Sequence, residues 1–217
     1  MKQNKTYVLG VTGPIGTGKS LVLDVLKDKY NCNIIKADDL GNEVKLKGNE
    51  CFEPIVNLLG KDVLDENGEI DKSKMATKMF SDESLIEKCN AIIHPAVKER
   101  INKFVANSDS KITVIEAALI CEAGYFDILN ELWFVNSDED IRIKRLMESR
   151  GYSVDKCKSI IACQHDLNYA VSADFEYEKS SDREDYYGLT VIKNNSGIYE
   201  LFDNIRGAME VINGRIG

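Results

Sequence analysis

The 217-residue sequence predicts an α/β protein, a parallel sheet of five strands with helices on both faces. Short β-rich apolar runs alternate with stretches of helical periodicity, and the first run ends in a glycine-rich turn that opens into a helical pattern. That first run covers residues 7–11, and past the glycines Leu21, Val22, Val25 and Leu26 recur at helical spacing. The second, residues 33–37, gives way to Asp38, Asp39 and a polar helix, repeating the switch from strand to helix. Further runs at residues 112–115, 132–135 and 189–192 complete the sheet.

Residues 40–107 read as helical, broken by turn signals at Gly60 and at the Asp-Glu-Asn-Gly of 65–68. That is too long for a simple crossover, so it is expected to be a helical substrate-binding insert, leaving 1–39 and 108–217 as the core. A charged helical stretch follows the fourth run, spans about 138–170, and is expected to be a lid. No internal repeat or low-complexity tract is visible, and three prolines are too few to mark a linker.

Charged residues make up 29% and hydrophobic ones 43%, a globular mix that leaves no disordered tract. The net charge of −8 argues against a dedicated polyanion surface, so no nucleic-acid partner is expected and any phosphate site must be local. The six cysteines are scattered without a C-x-x-C pair and only two histidines accompany them, which points to reduced, packed thiols rather than a zinc site. The first residues lack an apolar leader core, and no stretch approaches the roughly 18 apolar residues of a membrane span. A cytoplasmic protein without membrane partners is expected.

Residues 13–20 read G-P-I-G-T-G-K-S, a complete G-x-x-x-x-G-K-[ST] phosphate loop between a strand and a helix. Glycines let the backbone wrap with its N–H groups turned toward phosphate oxygens, and the helix after them adds the positive end of its dipole. Gly13, Ile15, Gly16, Thr17, Gly18, Lys19, Ser20 and Leu21 are therefore expected to hold ATP. Lys19 is expected to bridge the β- and γ-phosphates and Ser20 to ligate Mg²⁺. Pro14 removes one N–H at the start of the loop. A guanine-selecting N-K-x-D sequence is absent, which disfavours a GTPase. Small-molecule kinases place an acid at the end of the second strand to take the proton from an acceptor hydroxyl, and Asp38 fits; its bland alternative is the N-cap of the next helix.

These residues resemble the dephospho-coenzyme A kinase family, and the likeness spans most of the chain. LGVTGPIGTGKS is close to the family's G-L-T-G-G-I-G-S-G-K-S, and IIKADDL resembles its I-D-A-D segment, with Asp38 at the catalytic carboxylate. LLGKDVLDENGEIDKSKMATKMFSDE and then CNAIIHPAV are similar to the family stretch that runs to its N-A-I-I-H-P turn. AALICEAGYFD looks like P-L-L-F-E, with Glu122 at its glutamate, and Glu116 stands where an acid ligating Mg²⁺ through water is expected. RIKRLMESRG resembles the lid helix, with Arg145 and Gln164 at matching positions, and VIKNNSGIYEL resembles the last strand, with Asn194 beside the adenine. The resemblance implies a P-loop kinase fold and ATP-dependent phosphorylation of the ribose 3′-hydroxyl of dephospho-CoA, by a monomer or weak homo-oligomer.

The sequence departs from the family pattern at Lys36 for the first aspartate of I-D-A-D, Lys72 for an arginine and Ala118 for a proline, all on the acceptor side. Arg150 falls one position late, and the stretch between Gln164 and Val191 is longer than in the family, with its excess within residues 175–188. Another P-loop nucleotide or small-metabolite kinase, or an ATP-binding paralogue that transfers nothing, are the rival readings. Arg145 is expected to close over the phosphates, whereas Arg142, Lys144 and Arg150 are expected on a solvated helix face. His94, before Pro95, reads as a helix-start or packing residue and enters only the substrate-side set, with Asp38, Lys72 and Glu122. Glu116 and Glu122 compete with ordinary salt bridges, and Cys121 reads as a packed thiol.

Overall fold

A computed structural model describes residues 6–82, 84–118, 120–121, 123–164, 166–181 and 183–217. It holds the five expected strands, β1 (Tyr7–Thr12), β2 (Asn33–Lys36), β3 (Ile112–Glu116), β4 (Glu131–Asn136) and β5 (Leu189–Lys193), in the order β2-β3-β1-β4-β5. β1 pairs in parallel with β3 and β4, and β4 in parallel with β5. β1 is buried at every position, which is why its sequence reads as a continuous apolar run rather than an alternation.

The helices are α1 (Lys19–Tyr30), α2 (Ala37–Glu43), α3 (Phe52–Leu59), α4 (Lys72–Ser81), α5 (Ser84–Ala106), α6 (Glu139–Arg150), α7 (Val154–Ala162), α8 (Leu167–Ser180) and α9 (Ile198–Ile216). The chain divides into two compact units, Lys36–Phe104 and the remainder, Met1–Ile35 with Val105–Gly217.

In the larger unit, Leu9 and Val11 of β1 pack with Val22 and Leu26 of α1, Trp133 and Val135 of β4, and Leu201, Ile205 and Met209 of α9. Burying each such side chain stabilises the fold by roughly 1.5–3 kcal/mol. α1 stops at Asn31, whose left-handed backbone (φ 54°) turns the chain into β2. Glu131, at the start of β4, is 2% exposed and accepts from Tyr7 Oη (2.9 Å), Trp133 Nε1 (2.9 Å), Thr190 Oγ1 (2.7 Å) and Arg215, so its charge is met on every side. This network ties α9 to the sheet.

In the smaller unit, Phe52, Ile55, Val56, Leu59, Val63, Met75, Cys89, Val97 and Ile101 are buried. Its turn at 65–68 closes with Asp65 Oδ1 accepting from the amides of Asn67 (2.8 Å) and Glu69 (2.9 Å). Pro95 lies inside α5, so of the two expectations for His94 the helix start is corrected and packing, for a half-buried residue within the helix, is kept. Buried Cys89 before the proline and Val97 and Ile101 after it hold the helix on both sides of the lost backbone bond.

Candidate functional site

The site grows from the end of β1. Gly13 and Gly18 both have left-handed backbone (φ 139° and 93°), and a Cβ on either would strike the Val135 carbonyl oxygen or the Asn194 side-chain nitrogen. The two glycines let the loop pass against β4 and against Asn194, just past β5, and turn into α1, with Gly18 as its N-cap. Thr17, fully buried, braces the turn by donating from Oγ1 to Pro14 O (2.9 Å).

Three successive carbonyls of the loop are held from one side. Ile15 O accepts from Arg142 Nε (2.9 Å), Gly16 O from Arg145 Nη1 (3.3 Å), and Thr17 O from Asn194 Nδ2 (2.8 Å) and Arg145 Nη1 (3.4 Å). A trans peptide sets each carbonyl antiparallel to the next N–H, and no cis bond occurs among the described residues. The amides of Gly16, Thr17 and Gly18 are therefore turned to the opposite side, as donors an anion can bridge. Lys19 is half-buried and donates from Nζ to Gly13 O (2.5 Å) and Pro14 O (3.4 Å). Ser20 is exposed, and the amide of Leu21 is used inside α1, on Gly18 O (3.1 Å).

Arg142 overturns its expectation: it is 8% exposed, not solvated, and burial pulls its guanidinium pKa down. Only Ser137 and the N-cap Asp138 separate β4 from α6, so the first turns of that helix stand over the loop. Residues three apart share a helix face, so the spacing of Arg142 and Arg145 is the sequence signal that puts both over the loop. Lys144 and Arg150 are exposed, as expected. Arg145 reaches further, from Nη1 to Ser137 Oγ (3.0 Å) and from Nη2 to Asn194 O (3.0 Å) and Oδ1 (3.2 Å). Asn194 is 4% exposed, its side-chain amide committed to Thr17 and Arg145.

Gln164 Oε1 accepts from Ile15 N (2.9 Å) and Arg142 Nη2 (3.5 Å). With Thr12, Gly13, Pro14, Ala118 and Tyr169 it lines a cavity of about 150 Å³ at the start of the loop. Ala118 thus stands at the cavity wall where the family pattern has a proline. Glu116 ends β3 half-buried, in register with Val11 of β1. Glu122 lies outside the described residues.

The remaining candidates belong to the smaller unit. Asp38 sits in the first turn of α2, where the helix dipole favours a carboxylate; the N-cap position itself is Lys36. Lys72 opens α4, whose first amides are capped by Asp71 Oδ1 through Ser73 N (2.7 Å) and Lys74 N (2.9 Å). Lys45 was not foreseen from sequence: burial first, and then the charge of Lys72, lower its pKa. His94 is half-buried within α5.

A family model described as dephospho-CoA kinase matches residues 7–176. The dephospho-CoA kinase of Geobacillus kaustophilus is 32% identical over 165 residues, which is 75% of this chain and 82% of that protein. That of Shouchella clausii is 30% identical over 183 residues, 82% of this chain and 92% of the relative. Among solved structures, one from Thermus thermophilus superposes with a TM-score of 0.72 at 20% identity, over 98% of both chains. A dephospho-CoA kinase from Campylobacter jejuni gives 0.60 at 17%, over 94% of this chain and 96% of the other. At those identities the two structures speak for the fold.

Proposed function

The chain belongs to the dephospho-CoA kinase family, and we propose that it transfers the γ-phosphoryl group of ATP to the ribose 3′-hydroxyl of dephospho-CoA, giving CoA and ADP. The observation that carries this reading is the extent of the family match, which runs through the whole helical insert as well as the loop. A phosphate loop alone is shared by kinases of many acceptors; the insert is what narrows the choice.

In this reading the amides of Gly16, Thr17 and Gly18 bind the phosphates, and Lys19 exchanges the carbonyls of Gly13 and Pro14 for β- and γ-oxygens. Asp38 orients the acceptor hydroxyl and takes its proton. Lys72 and Lys45 meet the acceptor's own phosphates. Arg145 and Arg142 hold the loop's carbonyls outward, which keeps the amide donors aimed before nucleotide arrives.

A hydroxyl and a carboxylate are hard oxygen donors of the kind Mg²⁺ takes, so Ser20 and Glu116 are the residues that would hold it. No group of three or more His, Cys, Asp or Glu gathers among the described residues, and Mg²⁺ needs none when the nucleotide supplies most of its ligands. When bound it neutralises charge on the β- and γ-phosphates. No helix among the described residues is long and apolar enough to cross a membrane. A cytoplasmic monomer or weak homo-oligomer is part of the proposal.

The test is purified protein with Mg-ATP and dephospho-CoA, with ADP and CoA followed together. Equal amounts of both are expected. ADP formed without CoA would reduce the protein to an ATPase toward this acceptor, and no product at all would favour a binding-only paralogue.

A further inference from the structure

The polar stretch before β5 has a place in the fold that its sequence does not announce. Helix α8 runs 14 residues, about 21 Å, and its start belongs to the cavity: Asp166, its N-cap, and Tyr169 and Ala170 all line it. Ala170 is the one buried side chain of α8 among those described, so the helix has little apolar purchase of its own.

Its other half is gripped by the residues that join it to β5. Tyr186 donates a hydrogen bond from its hydroxyl to Asp174 Oδ1. The Tyr177 ring stacks on Phe126 at 5.1 Å and meets Tyr186 edge-on at 5.1 Å, and Tyr186 also stands edge-on to Phe126 at 6.1 Å. Arg183 donates to Phe126 O (3.1 Å) and Asp127 O (2.7 Å) and pairs with Asp185 Oδ1 (2.8 Å). Asn130 closes the arrangement, donating to Asp185 O (2.8 Å) and accepting from Val8 N (2.7 Å) of β1. Residues 183–188 are thus stitched to the strand that carries the phosphate loop, while Asp174 stands four residues, about 6 Å, along α8 from Ala170.

We propose that residues 183–188 are a brace for phosphoryl transfer: Tyr186, backed by Arg183, is a positioning residue that fixes α8 and so the Tyr169–Ala170 wall of the cavity against Gly13 and Pro14. The proposal rests on the kinase reading above and assigns this cavity, which borders the start of the phosphate loop, to the acceptor. A loosened wall leaves only a fraction of molecules competent to bind, and apparent affinity for the acceptor falls by that fraction.

Tyr186→Phe removes the hydroxyl and keeps the ring cluster. It is expected to raise the KM for dephospho-CoA roughly three- to tenfold while kcat and the KM for ATP change less than about twofold. Asp174→Asn, whose amide oxygen still accepts from Tyr186, is expected to stay near the wild type, whereas Asp174→Ala should behave as Tyr186→Phe. A Tyr186→Phe protein with a lower Tm but an unchanged acceptor KM would make the contact merely structural and overturn the proposal. Should the wild type form no CoA, the kinase reading fails first, and the brace is then decided by alkylation of Cys121, half-buried on the same cavity. Faster alkylation in Tyr186→Phe upholds the brace, and an equal rate rejects it.

Discussion

Arg145→Ala separates two jobs that one guanidinium could perform, closing over phosphates or shaping the loop that binds them. Of the acceptors Arg145 serves, Thr17 O keeps Asn194 Nδ2 at 2.8 Å, and Asn194 O keeps Ser137 Oγ at 2.7 Å. Gly16 O depends on Arg145 Nη1 at 3.3 Å, and its peptide carries the amide of Thr17. Leaving one such part-buried carbonyl without its charged donor costs about 1–3 kcal/mol, which the peptide can recover by rotating. Rotation turns the Thr17 amide away from the phosphates, so the same energy reappears as a roughly 5- to 150-fold weaker ATP affinity. Calorimetric titration of ATP into the variant measures this directly, and Arg145→Lys, which keeps the charge without the planar fork, should fall between. Loss of kcat with ATP affinity intact would refute the loop-shaping argument and leave Arg145 acting on the transferring group.

Lys19→Ala is expected to lose ATP binding and turnover together, and near-normal ATP affinity would count against the loop as the nucleotide site. Asp38→Asn should bind ATP normally and lose transfer by about 10²–10⁴-fold, measured as single-turnover CoA formation; undiminished turnover removes the proposed base. Lys45→Gln and Lys72→Gln should each raise the KM for dephospho-CoA and leave that for ATP unchanged, and a matching rise for ATP would contradict their assignment to the acceptor. Asp174 gives a pH signature: burial raises its pKa, so its contribution to stability is fully present below the unfolded carboxylate value and lost as pH rises through the folded one. Asp174→Asn cannot ionise, so its Tm relative to wild type should be higher at pH 7 than at pH 4, and a difference constant across that range would show that the carboxyl carries no such cost.

A sequence discloses structure where the constraints on it are local. The strands stood out because β1, β3 and β4 are buried on both faces, which forces consecutive apolar residues, and the phosphate loop because three glycines must occupy backbone that other residues avoid. Glu131 was left out of its strand for being charged, since the groups that make its burial tolerable, Tyr7 and Arg215, lie 124 and 84 residues away. Arg142 was hidden by the opposite effect, a charged helix whose composition describes a wet surface although one face of it is pressed on the loop. Residues 175–188 read as a polar loop or extended lid because α8 buries so little of itself; its second half is held by the Phe126 ring from far upstream and by Tyr186 and the Arg183–Asp185 ion pair from beyond its end. Glu131 and Arg142 are polar and buried by partners distant in sequence. Burial of that kind costs stability unless every donor and acceptor is met, and the described side chains contain no buried polar atom left unmet. Such residues are where the fold spends specificity on the site: Arg142 and Asn194, both buried and both hydrogen-bonded to the loop, mark it more sharply than the glycine motif does.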